Sequence, residues 1–328
     1  MTPTRIQVIG AGSWGLALAR LLARNGHAVR LSCREEDGPD MLRNERRSPH
    51  FLPGVLLPES IVVSHDIEPA SEIAVLAVPS HAMRAVAEKL RFSRSTILVN
   101  VAKGIENETL LCMHEVIAEV AGPCAVVTLS GPSHAEEVAK DLPASLVAAG
   151  TDAAACERVQ QAFGAPMFRV YTSPDITGVA LGGALKNEIA IAAGESDAFG
   201  LGDNAKAALI TRGLAEIARL GVAMGADPMT FAGLSGMGDL IVTCESRHSR
   251  NRSVGEKIAS GMKLDAILAS SPMVAEGVRT ARAALALAQK QDIEMPIAEQ
   301  VYRVLYDGAD AREAVNALMT RDLKSERG

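Results

Sequence analysis

The sequence predicts an α/β fold: a doubly wound, mostly parallel sheet over residues 1–172, followed by an all-helical domain over residues 173–328. Three observations predict it. Short β-branched runs alternate with amphipathic segments in the first half, the pattern of strand–helix–strand crossovers. That alternation stops near residue 173, after which Ala, Leu, Ile and Met recur at helical spacing. A chain of 328 residues has room for roughly two domains, each able to bury its own core.

In chain order, Ile6–Ile9 reads as a strand, Trp14–Asn25 as a helix and Ala28–Cys33 as a second strand. Pro53, Gly54 and Pro58 mark a loop before the next strand, at Ile61–Val63. Further strands are expected at Ile73–Val78, Thr96–Val101, Ala125–Leu129, Leu146–Ala148 and Phe168–Tyr171, with helices between them such as His81–Leu90 and Thr109–Val120. Ser173-Pro174-Asp175 is a helix-start signal. Beyond it, Gly-rich turns are expected near 200, 221, 233 and 261, and Pro272 and Pro296 near helix boundaries.

Composition narrows the function. The net charge is −6, and the aromatic residues are six Phe, three Tyr and one Trp. Such a chain lacks both the basic footprint and the stacking platforms of a nucleic-acid binder. No apolar stretch approaches the ~18 residues a membrane span requires. The apolar run after Arg5 resembles a signal peptide superficially, but Gly10, Gly12 and Gly15 interrupt it. Five scattered cysteines, Cys33, Cys112, Cys124, Cys156 and Cys244, show neither CxxC pairing nor zinc-ligand spacing. No metal is expected, and a reducing cytoplasm is.

Those glycines belong to Gly10-Ala11-Gly12-Ser13-Trp14-Gly15, a GxGxxG between a strand and a helix. This is the Rossmann dinucleotide fingerprint: Gly10 for the tight turn, Gly12 for the approach of a pyrophosphate, Gly15 for helix–strand packing. The helix N-terminus behind it offers free N–H groups to the anion. Where the motif expects an acidic residue for the ribose, Cys33-Arg34 stands, followed by Glu35 and Glu36. A guanidinium there suits a 2′-phosphate, which favours NADP; the two glutamates keep NAD open, and Arg34 can also be read as a solvated strand-end charge.

Three clusters in the second half could carry chemistry. In Leu181-Gly182-Gly183-Ala184-Leu185-Lys186-Asn187, two helical glycines imply close approach to the backbone. Lys186 among them is either desolvated, with a lowered pKa, or snorkels to the surface. Gly233-Leu234-Ser235-Gly236-Met237-Gly238-Asp239 would fix Asp239 beside Lys186, or make it a plain turn residue. In Ser249-Arg250-Asn251-Arg252, just before the helical run Val254–Ala259, Ser249 or Ser253 can cap the helix. Arg250 and Asn251 would then aim donors at a substrate phosphate; a solvated basic turn would read alike. Together these point to hydride transfer to a small phosphorylated carbonyl compound.

The stretches GAGSWGLALA, VAKGIE, SGPSHAEEVA, LGGALKN, LGDNAKAALITRGLAEI, AGLSGMGDLIVTC and SRNRSVGE occur in order over most of the chain. Through them the sequence resembles the bacterial-type NAD(P)-dependent glycerol-3-phosphate dehydrogenases. The resemblance implies a Rossmann domain and a helical domain in a homodimer, reducing dihydroxyacetone phosphate to sn-glycerol 3-phosphate for phospholipid synthesis. It implies Lys186 as proton donor, held by Asp239. It implies substrate contacts from Lys103, Gly131, Ser133, Lys186, Asp239, Ser249, Arg250 and Asn251. Ser13, Trp14, Arg34, Lys103, Ala135, Arg250, Val274 and Glu276 would contact the dinucleotide, with Gly10, Gly12 and Gly15.

The sequence also departs from the family pattern. Glu188 and Glu195 stand where apolar residues are expected, and Ala180 where an acidic one is. Glu188 and Glu195 are seven apart and so share a helical face, expected at a subunit contact or in solvent. Two residues from Lys186, Glu188 should not pair with it. His50-Phe51 replaces an Arg-Tyr pair before Leu52-Pro53, and His134 and His248 read as packing or rim residues. Two other readings remain at this point: a two-domain dehydrogenase for a different hydroxy acid, and a non-catalytic dinucleotide sensor.

Overall fold

The computed structural model describes residues 3–270, 274–323 and 325–326; Pro272 lies outside them. Eight strands form one sheet in the order β3-β2-β1-β4-β5-β6-β7-β8. They are β1 (Arg5–Ile9), β2 (Ala28–Ser32), β3 (Val62–Ser64), β4 (Ile73–Leu76), β5 (Ile97–Asn100), β6 (Ala125–Ser130), β7 (Ala144–Ala149) and β8 (Phe168–Ser173). All neighbours run parallel except β6 and β7, which are antiparallel, with Leu129 opposite Ala148. The reversal is not written in the β-branched pattern, which is the same for either direction of pairing.

Helices cover both faces. They are α1 (Ser13–Arg24), α2 (Pro39–Asn44), α3 (Met83–Ala87), α4 (Met113–Val120), α5 (Ala135–Val138) and α6 (Ala153–Phe163). Burial follows from this sandwiching: every residue of β4 and β5 is buried, as strands covered on both faces must be. The helices expected at His81–Leu90 and Thr109–Val120 are shorter, because a tight 3-10 turn takes Ser80–Ala82 and an irregular loop takes the residues ahead of Met113.

The C-terminal half is helical: α7 (Ile176–Ala198), α8 (Asp203–Ala223), α9 (Pro228–Phe231), α10 (Asp239–Glu245), α11 (Arg250–Ala259), α12 (Leu264–Ala269), α13 (Glu276–Lys290), α14 (Pro296–Tyr306) and α15 (Ala311–Met319). Asp175 caps α7 by accepting from Gly178 N at 2.8 Å, and Pro296 opens α14. Gly221 is not in a turn. It lies inside α8, where a Cβ would come within 2.1 Å of the Phe231 ring; the turn follows at Gly225, φ +88°.

Helix α7 is the axis of this half, packed by α8, α10, α11 and α13. Being surrounded, it is buried almost throughout and has no solvated face. The expected surface position of Glu188 and Glu195 is therefore wrong: they are 0% and 4% exposed within this one chain. Ala180 is buried on the same helix. Contact with α11 is close enough to need glycine on both sides. A Cβ on Gly194 would sit 1.9 Å from the Arg252 carbonyl oxygen, and one on Gly255 would sit 1.9 Å from that of Ile191.

Candidate active site

A cleft of about 580 Å³ opens at the C-terminal ends of the strands, where the order reverses between β1 and β4, and runs onto α7, α10 and α11. Such switch points are where open α/β sheets bind ligands. Its first wall is the glycine turn. Gly10 has φ +107°, and a Cβ there would meet Ala77 O at 2.5 Å. A Cβ on Gly15 would meet Gly10 O at 2.0 Å, so Gly15 sets the approach of α1 to the turn. At Gly12 a Cβ would meet nothing within 4 Å: its free side faces the cleft, and it begins α1 without a side-chain cap. The N–H groups of that first turn are thus left for an anion, and a dinucleotide pyrophosphate fits the cradle.

Arg34 stands at the cleft rim beyond β2, its side chain 76% exposed. Asp37 anchors it, accepting from Arg34 N at 2.8 Å and from Nη2 at 3.3 Å. Ser13, Trp14, Ala135, Val274 and Glu276 line the cleft as well, and so does Phe51 from the loop before β3. Glu276 reaches across from α13 to the Rossmann-like domain, accepting from Ser80 N at 3.0 Å and from its hydroxyl.

The far end of the cleft is built on Lys186 and Asp239, 5% and 1% exposed. Lys186 lies in the middle of α7, where Gly182 and Gly183 let other backbone and side chains come close. A Cβ on Gly182 would be 2.7 Å from Ser235 O, and one on Gly183 would be 2.6 Å from Ser130 Oγ. Asp239 opens α10, directly after the wide π-type turn Leu234–Gly238 that packs on α7. Its Oδ1 accepts from Lys186 Nζ and its Oδ2 from Lys103 Nζ at 2.6 Å. Lys103 also donates to the Gly131 carbonyl at 3.0 Å, an oxygen shared with the Ser133 hydroxyl at 2.9 Å.

Burial pushes the Lys186 ammonium down to about 7; the Asp239 carboxylate opposes that shift and the Lys103 ammonium adds to it. Lys186 does not pair with Glu188, as expected. It donates instead to Asp239 and to Thr243 Oγ1 at 2.6 Å, and Thr243 in turn donates to the Asp239 carbonyl at 2.6 Å.

Ser249 caps α11, accepting from Arg252 N at 3.2 Å, so the helix starts at Arg250 and not at Val254. Arg250 lines the cleft from the first turn, exposed to solvent. Asn251 is tied into the fold: its amide donates to Asn187 Oδ1 at 2.9 Å, and its Oδ1 accepts from Gly277 N at 2.9 Å. One amide N–H remains for a ligand.

The structure thus brings Lys103, Ser133, Lys186, Asp239, Ser249, Arg250 and Asn251 to one cleft, with Gly131 and Gly15 supporting its wall from behind. Sequence reasoning assigned no role to Thr243 or Asn187. Thr243 stands four residues after Asp239, on the same helical face, a spacing that could have revealed it.

A dinucleotide cradle at a strand switch point, continuous with a buried lysine held by a carboxylate, defines a nicotinamide-dependent dehydrogenase. Comparison with known proteins gives the family. The description "NAD-dependent glycerol-3-phosphate dehydrogenase N-terminus" matches residues 5–156, and its C-terminal counterpart matches residues 175–316. The chain belongs to the NAD-dependent glycerol-3-phosphate dehydrogenase family. It is 51% identical over 325 residues to a glycerol-3-phosphate dehydrogenase (NAD(P)+) of Pelotomaculum thermopropionicum, covering 97% of this chain and 93% of that one. With its namesake in Geobacter metallireducens it shares 51% over 332 residues, covering 99% of each. The crystal structure of glycerol-3-phosphate dehydrogenase from Coxiella burnetii is 37% identical and superposes with a TM-score of 0.93, covering 97% of this chain and 99% of that one.

Proposed function

We propose that this chain reduces dihydroxyacetone phosphate to sn-glycerol 3-phosphate, reversibly, with NADPH preferred over NADH, and so supplies phospholipid synthesis. Residues 1–172 hold the dinucleotide and residues 173–328 the catalytic lysine. What carries the reading is the buried Lys186–Asp239–Lys103 arrangement at the end of the cleft. The dinucleotide, when bound, supplies the hydride.

The chain supplies the rest. The Lys186 ammonium faces the carbonyl oxygen, stabilises the charge that develops there and gives up its proton. A pKa near 7 lets the same group accept a proton in the oxidative direction. Asp239 and Thr243 fix its position. Arg250, Ser249 and the free N–H of Asn251, at the N-terminus of α11, hold the phosphate, and Lys103 and Ser133 close the site from the opposite side. Fixing the phosphate makes hydride delivery effectively unimolecular. Gly10, Gly12, Ser13, Trp14, Gly15, Ala135, Val274 and Glu276 seat the dinucleotide, with Arg34 toward its 2′-phosphate.

The test compares dihydroxyacetone phosphate with unphosphorylated dihydroxyacetone and measures Lys186→Met alongside. Turnover should require the phosphate and should fall by about 10²-fold or more in the variant, the scale of a lost general acid, with NADPH still bound. Equal rates on both ketones would remove the phosphate clamp; an active Lys186→Met would remove the lysine. The same reading takes the chain as a cytoplasmic homodimer. Its five free cysteines support the compartment, and sedimentation of the purified chain checks the assembly.

A further inference from the structure

Each reduction leaves Lys186 as a neutral amine at the bottom of the cleft, 5% exposed, and that amine must regain a proton before the next turnover. Asp239 and Thr243 hold the lysine at the floor of the cleft and are themselves only 1% and 4% exposed. His134 and His248, which the sequence marks only as packing or rim residues, both line this cleft. Their rings lie 6.0 Å apart between centroids, tilted by 55°, and His248 is exposed to solvent. His134 precedes α5, and its Nε2 is buried with no hydrogen-bond partner among the described residues. A buried ring nitrogen without a partner is costly unless something reaches it during function.

From this juxtaposition we infer that His248 and His134 form the proton path from solvent to Lys186, with water bridging the gaps. This rests on the reading of Lys186 as the acid.

The balance is simple. The carbonyl carbon gains a hydride and its oxygen gains the Lys186 proton. His134 then passes one proton to the neutral amine and takes another from His248, which takes its own from water. Each imidazole takes a proton at one ring nitrogen and releases one from the other, so its tautomer is reset by a ring turn or through water before the next turnover, and the net consumption is one solvent proton per turnover.

The direction is favourable. Burial, and next the Lys186 ammonium, hold His134 below the usual histidine range; the Lys103 ammonium pushes the same way, while a hydrogen bond of the ring to the Val242 backbone and the Glu136 carboxylate oppose it. A ring whose proton affinity is lowered gives its proton up more readily to the neutral amine. The ring also feels Lys186 most when that group is charged. It therefore gains proton affinity when the lysine has just lost its proton, which primes the path after each turnover.

A relay and a merely structural histidine differ in time. The first turnover uses the proton already on Lys186, whereas later ones need the path. Rapid mixing of enzyme–NADPH with excess dihydroxyacetone phosphate should show, for His134→Phe and His134→Gln, a first turnover within about twofold of wild type. A steady state slowed roughly tenfold or more should follow, at the low end of what positioned proton transfer contributes. Added imidazole should restore the steady state, and His248→Gln should show a milder form of the same pattern.

An equal fall in both phases, or no fall in either, overturns the relay, as does a slow steady state that imidazole leaves untouched. Lys186→Met, run in parallel, should lack the first turnover. If it retains that turnover, the fault lies in the assignment of the acid and not in the relay alone.

Discussion

Asp239 gives one carboxylate oxygen to each of two lysines, and that division decides how Lys186 behaves. With a whole carboxylate to itself a buried ammonium would be held charged; sharing Asp239 with Lys103 lets burial dominate and brings the pKa to about 7. A residue of this kind is costly to the fold and is retained where proton transfer needs it. Arg34 is the opposite case, an exposed cation proposed to act through position. Its backbone N–H and guanidinium both bind Asp37, so the side chain is held at the rim before any ligand arrives. Replacing Arg34 by Ala should weaken NADPH roughly tenfold, the worth of one hydrogen bond to a charged group in solvent, and leave NADH nearly unchanged. Parallel titrations with the two cofactors measure this directly. Equal losses for both would move the 2′-phosphate site elsewhere, and a loss for NADH alone would reverse the preference.

At the scale of the element, α7 carries the lysine proposed as the acid and also two buried carboxyls that cost stability. Burial raises Glu195 to about 8 and Glu188 well above its ordinary value, where the nearby Glu216 carboxylate adds to the shift. Neither carboxyl is fully satisfied: both oxygens of Glu188 and Oε1 of Glu195 lack a hydrogen-bond partner among the described residues. The sign follows from linkage. Both groups bind a proton more tightly in the folded chain, so below the unfolded pKa near 4.3 they are neutral in both states with no ionisation cost, and stability is lost as pH rises from there toward 8. The stabilisation by Glu195→Leu should therefore be about 3–4 kcal/mol larger at pH 8 than at pH 5, with urea denaturation at the two values as the measure. A difference that is the same at both pH values would mean that Glu195 is ionised in the fold.

The same helix marks how far the sequence could be read. Asp175 and the glycines were legible because capping and missing Cβ atoms leave local signatures, whereas for Lys186 the residues alone left burial and snorkelling both open. The burial of Glu188 and Glu195 was not legible, because it depends on α8, α11 and α13 enclosing α7 on every side, and residue type argued for the surface. The antiparallel β7 was hidden for a related reason: pairing direction is set between strands and not within one. Thr243 needed the start of α10 to be known before its place beside Lys186 could be seen.

Over the whole molecule, the cleft belongs to both halves of the chain, and polar side chains tie them across it. Lys103 reaches from the loop after β5 to Asp239 on α10, and Glu276 on α13 takes both the N–H and the hydroxyl of Ser80. Gly104 lies behind that second tie with no room for a side chain, a Cβ there falling 2.5 Å from Ser80 Cβ. On the proposed reading a dinucleotide seated in the cleft would lie beside Glu276, and binding would then be coupled to the joining of the domains. For a ligand at 100-fold its Kd, binding to the folded state alone adds about 2.7 kcal/mol. In a chain of this size that corresponds to a rise of several degrees in Tm. Glu276→Ala should unfold at a lower temperature than wild type without cofactor, since Ser80 loses its partner. It should also give a smaller rise with NADPH at the same free concentration, because part of the binding surface has gone. Differential scanning calorimetry with and without NADPH separates the two effects. A variant with a lowered apo Tm and an undiminished NADPH shift would make Glu276 a tie between the domains only. An unchanged apo Tm with a diminished shift would make it a cofactor contact only, and the coupling of closure to binding would then have to run through Lys103 and Asp239.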